Sequence, residues 1–212
     1  MKRRDAIKGL GLSFGALLVG SSALSLLQSC SKETGPIWEP VYFNKNQTQL
    51  LNKITDIILP KTVDSPSATE VNVPQFIDKF IKEAYEVEAQ DVFKQGFTNL
   101  CNVLMKNTEL EDLSDVKPED IETVLAQTLK ISKEEEKVFW ESFEEAIENE
   151  KPISDVMATY VALNDIRGLC IFAYTNSETV GKEILVYKPV PGKQEGCIDL
   201  SETDGKAYSL FW

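Results

Sequence analysis

The chain has 212 residues, 34 of them acidic and 22 basic, and no histidine. Without an imidazole there is no Ser-His-Asp triad, no Cys-His pair, and no His-ligated zinc, iron or haem. The formal charge of −12 excludes a basic face for nucleic acid, while 42 % apolar and 26 % charged residues describe one folded domain with room for a tail.

Residues 1–29 read as an export signal. Met1 to Lys8 is basic, and Gly9 to Leu27 then carries no charge. Arg3-Arg4 followed by Ile7-Lys8 looks like a twin-arginine (Tat) signal, with an ordinary Sec signal as the alternative. Leu27-Gln28-Ser29-Cys30 resembles a lipobox, which makes Cys30 the expected lipidated first residue. An uncleaved anchor is the alternative there, since the apolar run is close to bilayer length. The leader holds four basic residues and one acid, so its removal takes −12 to −15 and leaves Arg167 as the only arginine. Such a chain is repelled by anionic headgroups, and a lipid on Cys30 is what would hold it at a membrane.

Residues 30–46 are expected to be a tether, although Trp38, Val41, Tyr42 and Phe43 are apolar enough to lie against the domain. Residues 47–212 then form the body. Leu50, Leu51, Ile54, Ile57 and Ile58 give a helix that Pro60 stops. Lys61 to Val73 is a loop, and Pro74 occupies a first-turn helical position. Phe76 to Ala84 and Val92 to Met105 are apolar stripes of helical period, either one bent helix or two separated within Glu83 to Asp91. Leu110 to Lys117 is loop-like, and Pro118 opens a helix with acids in its first turn. Ser132 and Glu135 form a capping box ahead of Val138 to Ile147. Pro152 is expected to start a last helix with Ile153, Val156, Met157, Tyr160, Val161, Ile166, Leu169, Cys170 and Ala173 on one broad face. Helical period ends at Thr175. The fold class is therefore all-α, a single domain of about five or six helices with a long irregular tail over about 175–212. Tyr187, Val190, Tyr208 and Trp212 are too apolar for that tail to hang in water, so it packs back on the helices or covers a partner.

Catalytic signatures are missing. There is no glycine-rich phosphate loop, no CxxC and no EF-hand spacing. Arg167 is expected to pair with a carboxylate rather than clamp an anion. Cys101 lies in an apolar stripe and reads as a core thiol. Cys170 and Cys197 are candidates for a disulfide tying the tail to the last helix, and the odd thiol count equally allows a bond to another chain. The Tat route carries folded proteins, usually around a cofactor. A chain with no cofactor motif on that route points to a partner that has one.

Three groups of residues resemble the gluconate 2-dehydrogenase subunit 3 family. The first is Ile58-Leu59-Pro60-Lys61-Thr62, Ser65-Pro66-Ser67-Ala68 and Val73-Pro74-Gln75-Phe76-Ile77-Asp78. The second is Tyr174-Thr175-Asn176-Ser177-Glu178-Thr179-Val180-Gly181, in which Asn176 departs from the usual aromatic-Thr-Ser-Glu order. The third is Tyr187-Lys188-Pro189-Val190-Pro191-Gly192 with Gly196-Cys197-Ile198. The resemblance implies a non-catalytic accessory subunit, exported by Tat to the periplasm and lipid-anchored to a membrane. Its partner would be a flavin-dependent dehydrogenase of the glucose–methanol–choline class, often with a cytochrome c subunit. FAD and the gluconate, sugar or polyol site would lie on the flavoprotein. Candidate partner contacts are Thr175, Ser177, Glu178, Gly181, Tyr187, Pro189, Pro191, Gly192 and Gly196. No catalytic, cofactor-binding or metal residue is expected on this chain. The rival readings are a free-standing periplasmic lipoprotein acting as a binding or scaffold protein, and an enzyme working with a buried carboxylate pair.

Overall fold

A computed structural model describes residues 38–110, 112–190, 192 and 197–209. Arg3, Arg4, Cys30, Pro191 and Gly196 lie outside the described residues. Those described form six α-helices, with no strand beyond a single parallel bridge between Val186 and Tyr208.

Helix α1 spans Lys45–Ile58 and begins on a capping box. The Asn44 side chain accepts from the Gln47 amide at 2.9 Å, and Gln47 accepts from the Asn44 amide at 3.1 Å. The helix thus starts inside the expected tether, and its Leu50, Leu51 and Ile54 are fully buried. Helix α2, Val73–Ala84, has Pro74 in its first turn. Helix α3 is Val87–Thr108. The two are separate because Tyr85 takes an extended conformation at ψ 137°, which puts the turn within the acidic run. Helix α4, Pro118–Leu129, carries Glu119 and Asp120 in its first turn, where acids favour the helix dipole. Helix α5, Lys133–Glu148, starts on the Ser132–Glu135 capping box. Helix α6 is Asp155–Thr175. It begins three residues after Pro152 because the Ser154 hydroxyl, not the proline, accepts from the Met157 amide and caps it.

Helices α3 and α6 cross at the centre of the domain, and α1, α2 and α4 pack against α6. The core runs through Phe93, Phe97, Leu100 and Leu104 of α3 and Leu163, Ile166 and Cys170 of α6. Helix α5 is held mainly by aromatic contact, with Phe139 4.2 Å and Trp140 6.0 Å from the Tyr160 ring centroid. Val156 departs from the expected broad face and is 76 % exposed.

The crossing depends on Gly96. A β-carbon built there would lie 2.0 Å from the Ala158 carbonyl oxygen and 2.3 Å from its carbon, so the two backbones touch. Thr159 fastens the contact. Its hydroxyl is 3.3 Å from the Gly96 carbonyl and 2.7 Å from the Asp155 carbonyl, and it accepts from Asn99 Nδ2 at 2.9 Å. Gly96→Val is expected to cost about 3 kcal/mol or more, since backbone cannot yield as a side chain does. Chemical denaturation measures it, and wild-type stability in that variant would show that the helices do not meet so closely.

Candidate functional site

The segment before α1 is docked by one carboxylate. Asp78 of α2 is fully buried. Its Oδ2 accepts from the Val41 amide at 2.8 Å, and its Oδ1 accepts from the Tyr42 and Phe43 amides at 3.0 Å each. Three successive amides around one anion form a concave site of positive backbone dipoles. The docked strip places Phe43 in the core, 4.9 Å from Phe97 and 6.0 Å from Phe93. Tyr42 is 5.9 Å from Phe93, and its hydroxyl donates to the Gln90 carbonyl at 3.0 Å. Burial pushes the Tyr42 phenol up to about 12, with help from the nearby Asp91 charge. The stretch from Trp38 to Asn44 therefore belongs to the folded body.

The first two motif groups meet at the C-terminal end of α6. The Tyr174 hydroxyl donates to the Pro66 carbonyl at 2.8 Å. The loop under it is braced throughout. The Ala68 amide donates to the Leu59 carbonyl at 3.0 Å, and Asp56 accepts from the Thr69 amide and hydroxyl at 2.9 and 2.7 Å. Lys61 pairs with Glu70, and Thr62 and Ser65 close a turn that leaves Val63 wholly exposed at its tip. Asn176 ends α6, its amide and side chain both donating to the Phe172 carbonyl at 3.1 and 2.8 Å. The departure at Asn176 thus supplies a helix cap.

The other candidate contact residues divide by exposure. Thr175 and Ser177 are half-buried and turn their hydroxyls onto α6 carbonyls. Gly181 is buried, so it offers no surface to a partner. Its amide donates to the Ser177 carbonyl at 2.8 Å, at the start of a π-turn over Val180–Ile184. Glu178 is exposed and pairs with Lys182 at 2.8 Å. Tyr187 is half-buried, while Pro189 and Gly192 are exposed, Gly192 at φ 70°. The tail packs back on the helices only in part. Val180 is buried against the domain, whereas Val190 is 84 % and Leu200 71 % exposed.

No disulfide links the tail to α6, because Cys170 is a buried free thiol and Cys197 an exposed one. Cys170 faces the Thr55 carbonyl at 3.9 Å, and burial pushes its thiol up to about 12. Cys101 is likewise free and buried, its thiol also raised to about 12 by burial. Both are core thiols held protonated at neutral pH. Arg167 bonds the Asn164 side chain at 2.6 Å instead of a carboxylate. Among the described residues no three Cys, Asp or Glu side chains are grouped to hold a metal ion. Among the described residues, burial raises the carboxyl of Asp165, which accepts from the Tyr85 hydroxyl at 3.0 Å. It has a phenol rather than a second acid as its partner. Sequence reading missed both Asp78 and Asp165 as anchoring groups, because their partners lie 35 to 37 and 80 residues away.

The sequence profile of the family described as gluconate 2-dehydrogenase subunit 3 matches residues 45–192, more than half of the chain. The chain belongs to this family. No curated protein and no solved structure matched. In this gluconate 2-dehydrogenase subunit 3 protein, the matched span runs from the start of α1 through the π-turn to Gly192, and so contains all six helices.

Two substitutions test the anchors. Asp78→Ala removes the acceptor of three amides, that of Phe43 buried, and is expected to cost about 3 kcal/mol or more. Amide exchange should accelerate at Val41, Tyr42 and Phe43 ahead of the helices, and unchanged exchange there would contradict the docking. Asp165→Asn probes burial of charge. The folded pKa of Asp165 lies above its unfolded value, so its contribution to stability is fully present below the unfolded pKa and is lost as pH rises through the folded one. The variant should therefore be more stable than wild type at pH 7 and lose that advantage in acid. Thermal melts across pH measure the difference.

Proposed function

We propose that this protein is the non-catalytic small subunit of a flavin-dependent gluconate, sugar or polyol dehydrogenase complex. The observation that carries the reading is the family match across α1 to Gly192. The chain's chemistry is consistent with it: no histidine is available as a general base, and the acid perturbed by burial is tied to a tyrosine. On this reading FAD and the substrate site belong to the flavoprotein subunit, of the glucose–methanol–choline class, and a cytochrome c subunit carries electrons onward. The small subunit contributes the export signal and the anchor. Arg3-Arg4 directs a folded complex through the Tat pathway, and acylated Cys30 holds it at the periplasmic face of a membrane. The mature charge of −15 supports a lipid anchor over electrostatic adhesion.

The reading predicts the fate of two variants. Arg3→Lys with Arg4→Lys should leave the precursor, and the flavin that accompanies it, in the cytoplasm. Cys30→Ala should be exported yet shift from the membrane fraction to the soluble periplasm. Cell fractionation with flavin fluorescence reads both. Normal export of the double lysine variant would remove the Tat role, and membrane retention of Cys30→Ala would remove the anchor.

A further inference from the structure

Helix α5 has the least cover of the six. Ala146 is its only buried residue, although Val138, Phe139, Trp140, Phe143 and Ile147 are all apolar. The rings pack chiefly on one another. Phe139 and Phe143 stack at 6.3 Å, and Trp140 meets them edge-on at 5.2 and 5.8 Å. Among the described residues, the aromatic ring they touch on another helix is that of Tyr160. Val138 is 61 % and Ile147 52 % exposed. A helix in a folded domain draws most of its stability from burying an apolar face, so α5 keeps apolar surface that the domain does not use.

Part of that surface is hollowed. A shallow depression of about 440 Å³ is lined by Glu134, Glu135, Val138 and Phe139. Three- and four-residue steps put both glutamates on the face of Val138, with Glu145 farther along it. The depression therefore joins an apolar lining to two acids. Neither acid meets a cation. Among the described residues, the ion pairs of this helix are Lys137–Glu141 at 3.7 Å and Lys151–Glu145 at 2.7 Å. The Ser132 amide donates to Glu135 at 2.8 Å, and with the Ser132 hydroxyl it holds that carboxyl below the usual carboxylate range. Glu135 is thus charged at neutral pH. The surroundings have the same sign, with eight acids against three bases from Lys133 to Lys151.

We propose that the depression on α5 seats a long cationic side chain, lysine or arginine, carried by a segment of the flavoprotein subunit. This rests on the function proposed above. The methylene stem of such a side chain packs on Val138 and Phe139, and its head group meets the carboxylates of Glu134 and Glu135. The Phe139 ring adds a cation–π contact. The two unpaired glutamates select this occupant. A second copy would bring the same acids against them, and an anionic lipid surface is repelled by them. A cation with an apolar stem satisfies both halves of the lining at once.

The test uses the tagged full-length chain in its native host, with captured flavin and dye-reducing dehydrogenase activity measured together. Wild type is compared with Val138→Ala and with the double variant Glu134→Gln, Glu135→Gln. Glutamine at 135 can still accept from the Ser132 amide, and Val138 is exposed, so both variants should melt close to wild type. Each should nevertheless lose at least about fivefold of the captured flavin and activity, roughly 1 kcal/mol of binding. Raising sodium chloride in the wash should bring wild type down to the level of the double variant. Undiminished capture by both folded variants would overturn the seat and leave the proposed function standing. Absence of flavin with wild type would overturn the function and the seat together. Loss in only one of the two variants, or wild-type capture indifferent to salt, would break the pairing of stem and charge and overturn the proposal. Sedimentation and flotation with phosphatidylcholine vesicles test the other occupants. A wild-type dimer dissolved in the double variant, or vesicle binding lost in it, would assign the depression to a second copy or to lipid and overturn the proposal.

Discussion

The domain is organised by one backbone contact. At Gly96 and Ala158 two long helices meet with no side chain between them. A contact of that kind fixes the crossing point to a single residue on each helix, because a one-residue slip would bring Gln95 or Phe97 against the Ala158 carbonyl. With the crossing fixed, α6 becomes the axis on which α1, α2 and α4 lean. Its buried side is necessarily built from small residues at that level, Ala158, Thr159 and Ala162, while larger ones fill the space farther along. The hydroxyl of Thr159 donates to the Asp155 carbonyl, lies 3.3 Å from that of Gly96 and accepts from Asn99, so hydrogen bonds offset the cost of burying it.

Much of this was legible from local rules. Pro74, Pro118 and the Ser132–Glu135 box mark helix starts because each satisfies backbone donors within a few residues. Pro152 misled because proline only tolerates a first turn, whereas Ser154 supplies the acceptor that begins one. The break at Tyr85 was visible only as an acidic run, since what stabilises it is tertiary: the Tyr85 carbonyl accepts from Gln90, and its hydroxyl reaches Asp165. Asp78 was readable as a motif residue and not as an anchor. A carboxylate that binds backbone amides leaves no complementary side chain in the sequence to suggest it. Cys170 and Cys197 show the same gap, for pairing depends on depth, and one is in the core while the other is at the surface.

The family resemblance and the physical reading describe different layers of the molecule. Of the motif residues, Pro66 and Tyr174 hold the loop after α1 to the end of α6, while Gly181, expected as a partner contact, closes the following turn on Ser177. Their shared pattern marks a framework. Exposed apolar residues lie elsewhere, at Ile171 and Phe172 of α6 and along the tail at Val190 and Leu200.

The grip of Asp78 also has a mechanical meaning. Any tension along the chain preceding Trp38 reaches the domain first at Val41 to Phe43, where three amides close on one carboxylate. Those bonds follow one another from the pulled end, so the Val41 amide is loaded first and Phe43 last. Behind them Phe43 is wedged among Phe93 and Phe97, and cannot leave without opening α3. The capping box of α1 begins only at Asn44, beyond the clamp, and is shielded from the pull. A body tethered through its N-terminal segment would in this way be hung from α2 and the aromatic core, and its first helix would not fray under drag.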